Sequence, residues 1–300
     1  MHPPSPSPPQ CKFSICIVTY RRPKLLQKCL DSLSCQLRLF DPSQYQVIVS
    51  DDCPARSSYE VVLNSRFATW VQGPNRGVAA NRNNAAYAAN GDWILYLDDD
   101  EVVGKMWLDT IYGAILTGNF DVIEGKVEPT NFPDSILWYA PVISSGGAYC
   151  TANLAIRRDL LLGLGGFNEK LSVSHEDSEM GIRIQNACLR SVYLDKAVVY
   201  HPARKLALAQ VWRRMINLQL TSFTIKNMDI VGLSIHNIMT LCDYTLKYGF
   251  RVSRFELAAR QPKHWRRPII ACLLLTLTIP IGFLKTIVFL GKGVANNRDS

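Results

Sequence analysis

Four consecutive acids at residues 98–101 follow directly on an apolar run at residues 93–97. Five apolar or aromatic residues in succession predict a buried strand, and the acids mark the point where that strand reaches solvent. In an extended backbone, side chains two residues apart point to the same side, so we expect the carboxylates of Asp98 and Asp100 to converge while Asp99 faces away. Such oxygen ligands suit a hard divalent cation, Mg²⁺ or Mn²⁺. Taken alone, the run fits a solvated acidic turn equally well, because aspartate is a frequent turn residue.

A predicted α/β fold places further polar residues at the same edge as the acidic run. Strand-like and helix-like stretches alternate over residues 13–125, which is the pattern of a mostly parallel, Rossmann-like sheet with flanking helices. The predicted strands are 12–18, 46–49, 69–71, 93–97, 122–127, 148–156 and 192–200, and the predicted helices are 24–35, 57–67, 78–89 and one that is capped by residues 174–177 and runs to about 189. Ligands of such sheets bind beyond the carboxyl ends of the strands. Thr19 and Tyr20 follow the first strand and Asp51 follows the second, so they share this edge.

Six short motifs, taken in order, closely resemble those of family 2 glycosyltransferases with the GT-A fold. They begin at Ile17, Val49, Asn75, Leu97, Gly165 and Glu176, and they read IVTYRR, VSDD, NRGVAANRN, LDDD, GGFNE and ED. The match extends over about residues 13–201. Each motif is common by itself, but six of them in this order are specific. The resemblance implies a GT-A catalytic domain that uses a nucleotide-sugar donor and inverts the anomeric configuration.

The resemblance also implies donor-binding roles for residues at the predicted edge. Asp98 would lean toward the ribose of the donor and Asp100 would bind the metal directly, although sequence alone does not rank the two. Asp51 would accept a hydrogen bond from the ring N–H of a pyrimidine base, with Thr19 and Tyr20 lining that base. The alternative for Asp51 is to cap the turn that follows its strand.

Arg82 and His201 are candidates for the remaining contacts to the donor and the metal. Arg82 lies on the helix after the loop at 75–77, and because arginine pairs well with phosphate oxygens we expect it near the base or phosphates of the donor. An ordinary surface arginine is the alternative. His201 ends the last predicted strand, and its imidazole is a third candidate ligand for Mg²⁺ or Mn²⁺. A lone histidine is also commonly structural.

Asp177 is the candidate general base. An acceptor hydroxyl must lose its proton as the sugar is transferred, so a carboxylate is needed beside the acceptor. Asp177 matches the base of the Glu-Asp pair in the family, and a displacement in one step would invert the anomeric configuration. Glu176 would then raise the pKa of its neighbour or bind acceptor hydroxyls. Both acids also suit the start of a helix, where they stabilise the macrodipole.

The two ends of the chain differ in composition from the predicted catalytic domain at 11–202. Residues 1–10 are half proline, which predicts a disordered tail. Residues 203–300 predict a helical region associated with a membrane. It contains a basic amphipathic pattern at 204–216, and its apolar segment at 269–290 would be about 33 Å long as a helix, enough either to cross a bilayer or to lie in its surface.

Charge and motif content limit the partners and the function classes. The net charge of +8 favours anionic partners. We expect a nucleotide-sugar donor, a saccharide or a polyprenyl- or lipid-linked acceptor, a membrane surface, no nucleic acid, and a location on the cytoplasmic face of a membrane. A nucleotidyltransferase-like enzyme is one alternative, but residues 19–24 lack the glycine-rich phosphate loop that it requires. A non-catalytic membrane adaptor is another, and it would leave the acids at the sheet edge without a function.

Overall fold

The secondary structure was taken from a computed structural model, which describes residues 11–131, 133, 138–171, 176–207 and 210. Its strands are β1 (Phe13–Thr19), β2 (Tyr45–Asp51), β3 (Ala68–Gln72), β4 (Trp93–Asp98), β5 (Val102–Val103), β6 (Val122–Thr130), β7 (Trp138–Tyr139), β8 (Leu154–Arg157), β9 (Ser191–Pro202) and β10 (Arg204–Lys205). Its helices are α1 (Pro23–Leu37), α2 (Tyr59–Ser65), α3 (Val78–Ala88), α4 (Trp107–Thr117), α5 (Arg158–Gly163) and α6 (Glu176–Asn186), and Pro42–Gln44 and Thr151–Asn153 are 3₁₀ turns.

One mixed sheet carries the fold. Within the described residues it contains eight strands in the order β3-β2-β1-β4-β8-β6-β9-β5. Strands β1 to β4 are parallel neighbours, whereas β8 is antiparallel to both β4 and β6, and β9 is parallel to β6. Two reversals restore the direction, so β6 and β9 run the same way as β4. The carboxyl ends of β1, β2, β4 and β9 therefore lie at one edge of the sheet, here called the carboxyl rim. The expected α/β fold with a mainly parallel sheet is confirmed.

The central strands β1 and β4 build two apolar cores, one on each face of the sheet. On one face, Ile15, Ile17 and Leu95 pack with helices α1 and α4; on the other, Cys16 and Tyr96 pack with α3, α5 and α6. Because helices cover both faces, every residue of β1 is buried. This packing makes β1 and β4 the rigid centre from which the acidic run at 98–101 extends.

The structure departs from the sequence expectation after β4. Helix α4 was not predicted, and the expected strand at 148–156 is shorter, because β8 starts only at Leu154 after the turn Thr151–Asn153. The buried Asn153 side chain explains this turn. Its amide nitrogen donates to the carbonyl oxygens of Lys126 (2.9 Å) and Ala197 (2.8 Å), and its Oδ1 accepts from the indole N–H of Trp107 (2.9 Å). A residue that joins β6, β9 and α4 in this way cannot continue the regular pairing of a strand.

The chain divides into two units, one formed by residues 1–132 and 140–203 and the other by 133–139 and 204–300. In the second unit, Arg204 and Lys205 form β10 and pair with β7, so the predicted helix at 204–216 does not begin at 204. The remainder of that helix, the tail at 1–10 and the apolar segment at 269–290 lie mostly or wholly outside the described residues. A search of the described residues finds no helix both long enough and apolar enough to cross a membrane.

We predict that Asn153→Ala lowers the free energy of unfolding by about 3 kcal/mol, because it leaves the indole N–H of Trp107 and two buried carbonyl groups unpaired. Urea denaturation measures the loss. The matched control is Asn119→Ala, which removes the same group from an exposed position and should change stability by less than about 0.5 kcal/mol. Equal losses in the two variants would contradict the role assigned to Asn153.

Candidate active site

Asp98, Asp100 and His201 converge at the carboxyl rim. Asp98 ends β4 and His201 lies near the end of β9, and one ligand atom from each of the three residues lies within 4.8 Å of the others. Ligands on opposite sides of a six-coordinate Mg²⁺ are about 4.2 Å apart, so small rotations would bring all three onto one ion. When Nδ1 of His201 donates to the carbonyl oxygen of Pro202 (3.0 Å), its Nε2 presents a lone pair to the site. Two carboxylates and one imidazole suit a divalent cation.

The rest of the acidic run holds this group in place. Asp99 lies outside the cation-ligand group: its Oδ2 accepts a 2.6 Å hydrogen bond from the Thr19 hydroxyl, although its Oδ1 shares one guanidinium nitrogen of Arg22 with Asp100. Glu101 turns back, and its Oε2 accepts from the backbone N–H of Asp98 (2.9 Å). Burial raises the pKa of Asp99 to about 7 and that of Glu101 well above its usual value, so the repulsion within the run is partly relieved by protonation.

Arg22 is a site residue that the sequence reasoning missed. Its Nη1 donates to Oδ1 of Asp99 and to Oδ2 of Asp100, both at 3.0 Å. The residue directly precedes Pro23 at the start of α1, and that position was the available signal, because a helix that follows β1 begins at the carboxyl rim. A single guanidinium nitrogen thus neutralises two neighbouring carboxylates.

Arg82 joins the end of β4 to the start of α6. Its Nη2 donates to Oδ1 of Asp98 (3.1 Å), and its Nη1 forms an ion pair with Oε1 of Glu176. Although burial alone would lower the pKa of this guanidinium, the charges of Glu176 and Asp98 keep it above its usual value. The expected contact with donor base or phosphates stays a prediction, since in this structure both terminal nitrogens bind carboxylates of the site.

Glu176 and Asp177 open helix α6 beside this group. Burial, and then the neighbouring charge of Glu176, raise the pKa of Asp177 to about 6, while Arg82 opposes the shift. The Oδ1 of Asp177 accepts from the backbone N–H of Ser178 (2.7 Å), which fixes the carboxylate at the helix start. A carboxylate with a pKa near neutrality is suited to accept a proton at physiological pH.

The residues expected to bind the base are less open to solvent than the sequence suggested. Asp51 is fully buried, and its two oxygens accept from the backbone N–H groups of Cys53 (3.0 Å) and Ser58 (2.8 Å). It therefore caps the turn, as the sequence alternative expected, and its contact with a base stays a prediction. The Thr19 hydroxyl is committed to Asp99, whereas the ring of Tyr20 is 47% exposed at the end of β1. Of these three, only Tyr20 presents a free surface.

The fold and the rim together define a GT-A type glycosyltransferase architecture. The sequence profile described as Glycosyl transferase family 2 matches residues 14–159. That segment contains β1 to β4, the acidic run and Arg82. The chain belongs to the family 2 glycosyltransferases.

Relatives and solved structures agree with this assignment. The chain is 26% identical over 209 residues to the poly(ribitol-phosphate) beta-N-acetylglucosaminyltransferase TarS of Staphylococcus aureus, a match over 65% of this chain and 36% of that protein. The mannosyltransferase PcManGT from Pyrobaculum calidifontis, in complex with GDP-Man and Mn²⁺, superposes with a TM-score of 0.61 at 15% identity over 92% of this chain and 87% of that one. Residues 1–349 of S. aureus TarS in complex with UDP-GlcNAc give 0.57 at 20% identity over 92% and 83%. The chain spans about a third of the length of full TarS, and the structural likenesses show the fold.

We predict that Asp177→Asn stabilises the protein at pH 8. A carboxyl group whose pKa rises on folding binds more protons in the folded state, so its contribution to stability falls as pH rises from about 4 to about 6. The neutral amide avoids this loss, and we expect a gain of about 1 to 3 kcal/mol at pH 8 and no gain near pH 3.5. Thermal unfolding across this range measures it, with Asp195→Asn on the exposed part of β9 as the control.

Proposed function

We propose that this protein is a metal-dependent inverting glycosyltransferase that moves a sugar from a nucleotide-diphosphate donor to an acceptor hydroxyl. One observation carries the proposal: the cation-ligand group of Asp98, Asp100 and His201 is tied through Arg82 to the acids that open α6. In this proposal the residues that bind the metal of the donor diphosphate and the acid that accepts a proton therefore lie side by side. Transfer from a sugar nucleotide requires both.

Asp177 acts as the general base in this proposal. It takes the proton from the acceptor hydroxyl as that oxygen bonds to the anomeric carbon and the bond from that carbon to the diphosphate breaks. Attack and departure occur on opposite faces of the sugar, so the configuration inverts. Glu176 contributes by its charge, which helps to raise the pKa of Asp177, and by its ion pair with Arg82, which fixes the first turn of α6.

The departing diphosphate needs positive charge beside it. Asp98, Asp100 and His201 would hold Mg²⁺ or Mn²⁺, which supplies a Lewis acid for the phosphate oxygens. The complex of PcManGT with GDP-Man and Mn²⁺ supports this use of the same fold. The four-acid run also explains why two arginines lie here, since the site must remain folded before any cation arrives.

The donor lies against the carboxyl rim in this proposal. Tyr20 offers its exposed ring as a wall for the base, while Thr19 and Asp51 shape that wall from beneath through their buried hydrogen bonds. Asp98 has the most exposed carboxylate of the cation-ligand group, consistent with contact to the ribose as well as the cation. Arg82 approaches the phosphates only if one of its two ion pairs opens.

We place the acceptor among saccharides and polyprenyl- or lipid-linked glycans, and the enzyme on the cytoplasmic face of a membrane. The name of TarS gives poly(ribitol-phosphate) as its acceptor, and the net charge of +8 favours anionic partners or surfaces. The apolar segment at 269–290 would supply the membrane contact.

Asp177→Asn should still bind the donor but should lose transfer by at least about a thousandfold, because the amide cannot accept the proton. The assay is release of UDP or GDP from a panel of nucleotide sugars with glycan acceptors, and the activity of the unaltered protein should rise with pH through about 6. Asp195→Asn is the matched control and should retain activity. Robust turnover by Asp177→Asn would remove Asp177 from the base role.

Asp100→Asn should abolish the stabilisation that Mn²⁺ adds to nucleotide binding. For the unaltered protein, a nucleotide diphosphate with Mn²⁺ at about 100 times its Kd should add about 2.7 kcal/mol of stability, which thermal unfolding detects as a shift of a few degrees. The control Asp109→Asn removes an exposed acid on α4 and should keep the full shift. A full shift in Asp100→Asn would contradict the assigned cation site.

A further inference from the structure

The Arg22 side chain places a positive charge among the acids at residues 98–101, and it reaches them from the solvent side. Its backbone carbonyl accepts from the N–H groups of Leu25 (3.1 Å) and Leu26 (3.0 Å), so the main chain is fixed at the start of α1. Its side chain, by contrast, is 40% exposed, whereas those of Asp99 and Asp100 are 4% and 9% exposed. In this ion-pair group the acids are buried, whereas the arginine reaches them from the solvent side.

The contact with Asp100 overlaps with the cation-ligand group. Nη1 of Arg22 lies 3.0 Å from Oδ2 of Asp100, while Oδ1 of the same carboxylate lies 3.3 Å from Nε2 of His201. One oxygen of a candidate metal ligand therefore faces a positive charge, and the other faces the imidazole of the cation-ligand group. A divalent cation that binds Asp100 must share the carboxylate with Arg22 or displace it.

We propose that Arg22 is a positioning residue that serves as an internal counter-cation: it holds the acidic turn when no divalent ion is bound and competes with that ion for Asp100. This inference rests on the proposed cation site. It adds that the affinity for the metal depends on competition for Asp100 between the guanidinium of Arg22 and the free ion. The two arginines at the rim then differ, since Arg82 is buried between its partners and stays in place, whereas Arg22 can move.

The direction of the effect separates this role from simple support of the turn. A residue that only orders Asp100 would, when removed, weaken metal binding. A competing positive charge would, when removed, strengthen it, because a unit charge a few ångströms from a divalent ion opposes binding even at high effective dielectric constant. We therefore expect Arg22→Gln to bind Mn²⁺ about tenfold more tightly than the unaltered protein.

The test measures Mn²⁺ affinity by electron paramagnetic resonance at pH 8 without nucleotide, together with the melting temperature in EDTA and in saturating Mn²⁺. Arg22→Gln should bind Mn²⁺ more tightly, melt several degrees lower in EDTA, and recover most of that loss with Mn²⁺. Arg22→Lys keeps the charge and should stay within about threefold of the unaltered affinity. Arg38→Gln makes the same charge change at the exposed far end of α1, about 22 Å away, and should alter neither quantity.

Each outcome decides the question. Unchanged or weaker Mn²⁺ binding in Arg22→Gln, with normal binding by the unaltered protein, overturns the counter-cation role and leaves the proposed function standing. Absence of Mn²⁺ binding by the unaltered protein overturns the cation site and this inference with it. If Arg22→Gln fails to fold in EDTA, recovery of the folded state on refolding with Mn²⁺ supports the role, and failure to recover overturns it.

Discussion

Repulsion among carboxylates at the carboxyl rim is the constraint on which the rest of the site depends. The acidic run at 98–101 and the pair at 176–177 bring six acids to one edge of the sheet. The structure offsets this charge in two ways. Arg22 and Arg82 pair with four of the acids, and burial shifts the pKa of Asp99 and Glu101 toward the protonated form. Both effects reduce the repulsion within the rim, whose geometry suits a divalent cation.

The central strands of the sheet were predictable because their sequences are apolar throughout. The apolar residues of β1 and β4 form buried strands because both faces of the sheet are covered, and a run that is apolar throughout is the sequence sign of that burial. The reversal at β8 was not predictable, because strand direction depends on the path of the connection and not on local composition. The turn before β8 depends on Asn153, whose partners lie 27 to 46 residues away in sequence.

The site was predictable in its positions and less so in its partners. Alternation along an extended chain predicted that Asp98 and Asp100 converge, and they do so together with His201 from the end of β9. Residues 99 and 100 form a turn, however, in which Asp99 and Asp100 share one nitrogen of Arg22. The sequence left the orientation of Asp51 open between a base contact and a turn cap, because it depends on the turn after β2, where the backbone N–H groups of residues 53 and 58 point at the carboxylate. A carboxylate that accepts from buried N–H groups stabilises the loop, and it keeps further lone pairs for a ligand. Sequence spacing predicts the position of a side chain in the fold, but it does not predict which neighbouring group the side chain binds.

Arg82 fixes the distance between the proposed cation site at the end of β4 and the proposed base at the start of α6. Guanidinium is planar and rigid, so its two terminal nitrogens fix the spacing between Asp98 and Glu176 more closely than two flexible side chains could. Helix α3 can bring Arg82 this close because the residues around it are small, with Ala79, Ala85 and Ala86 packed against the sheet. A bulkier helix face would move α3 outward and separate the guanidinium from β4. The alanine-rich sequence of α3 therefore contributes to catalytic geometry through packing, although none of those alanines contributes a reactive group.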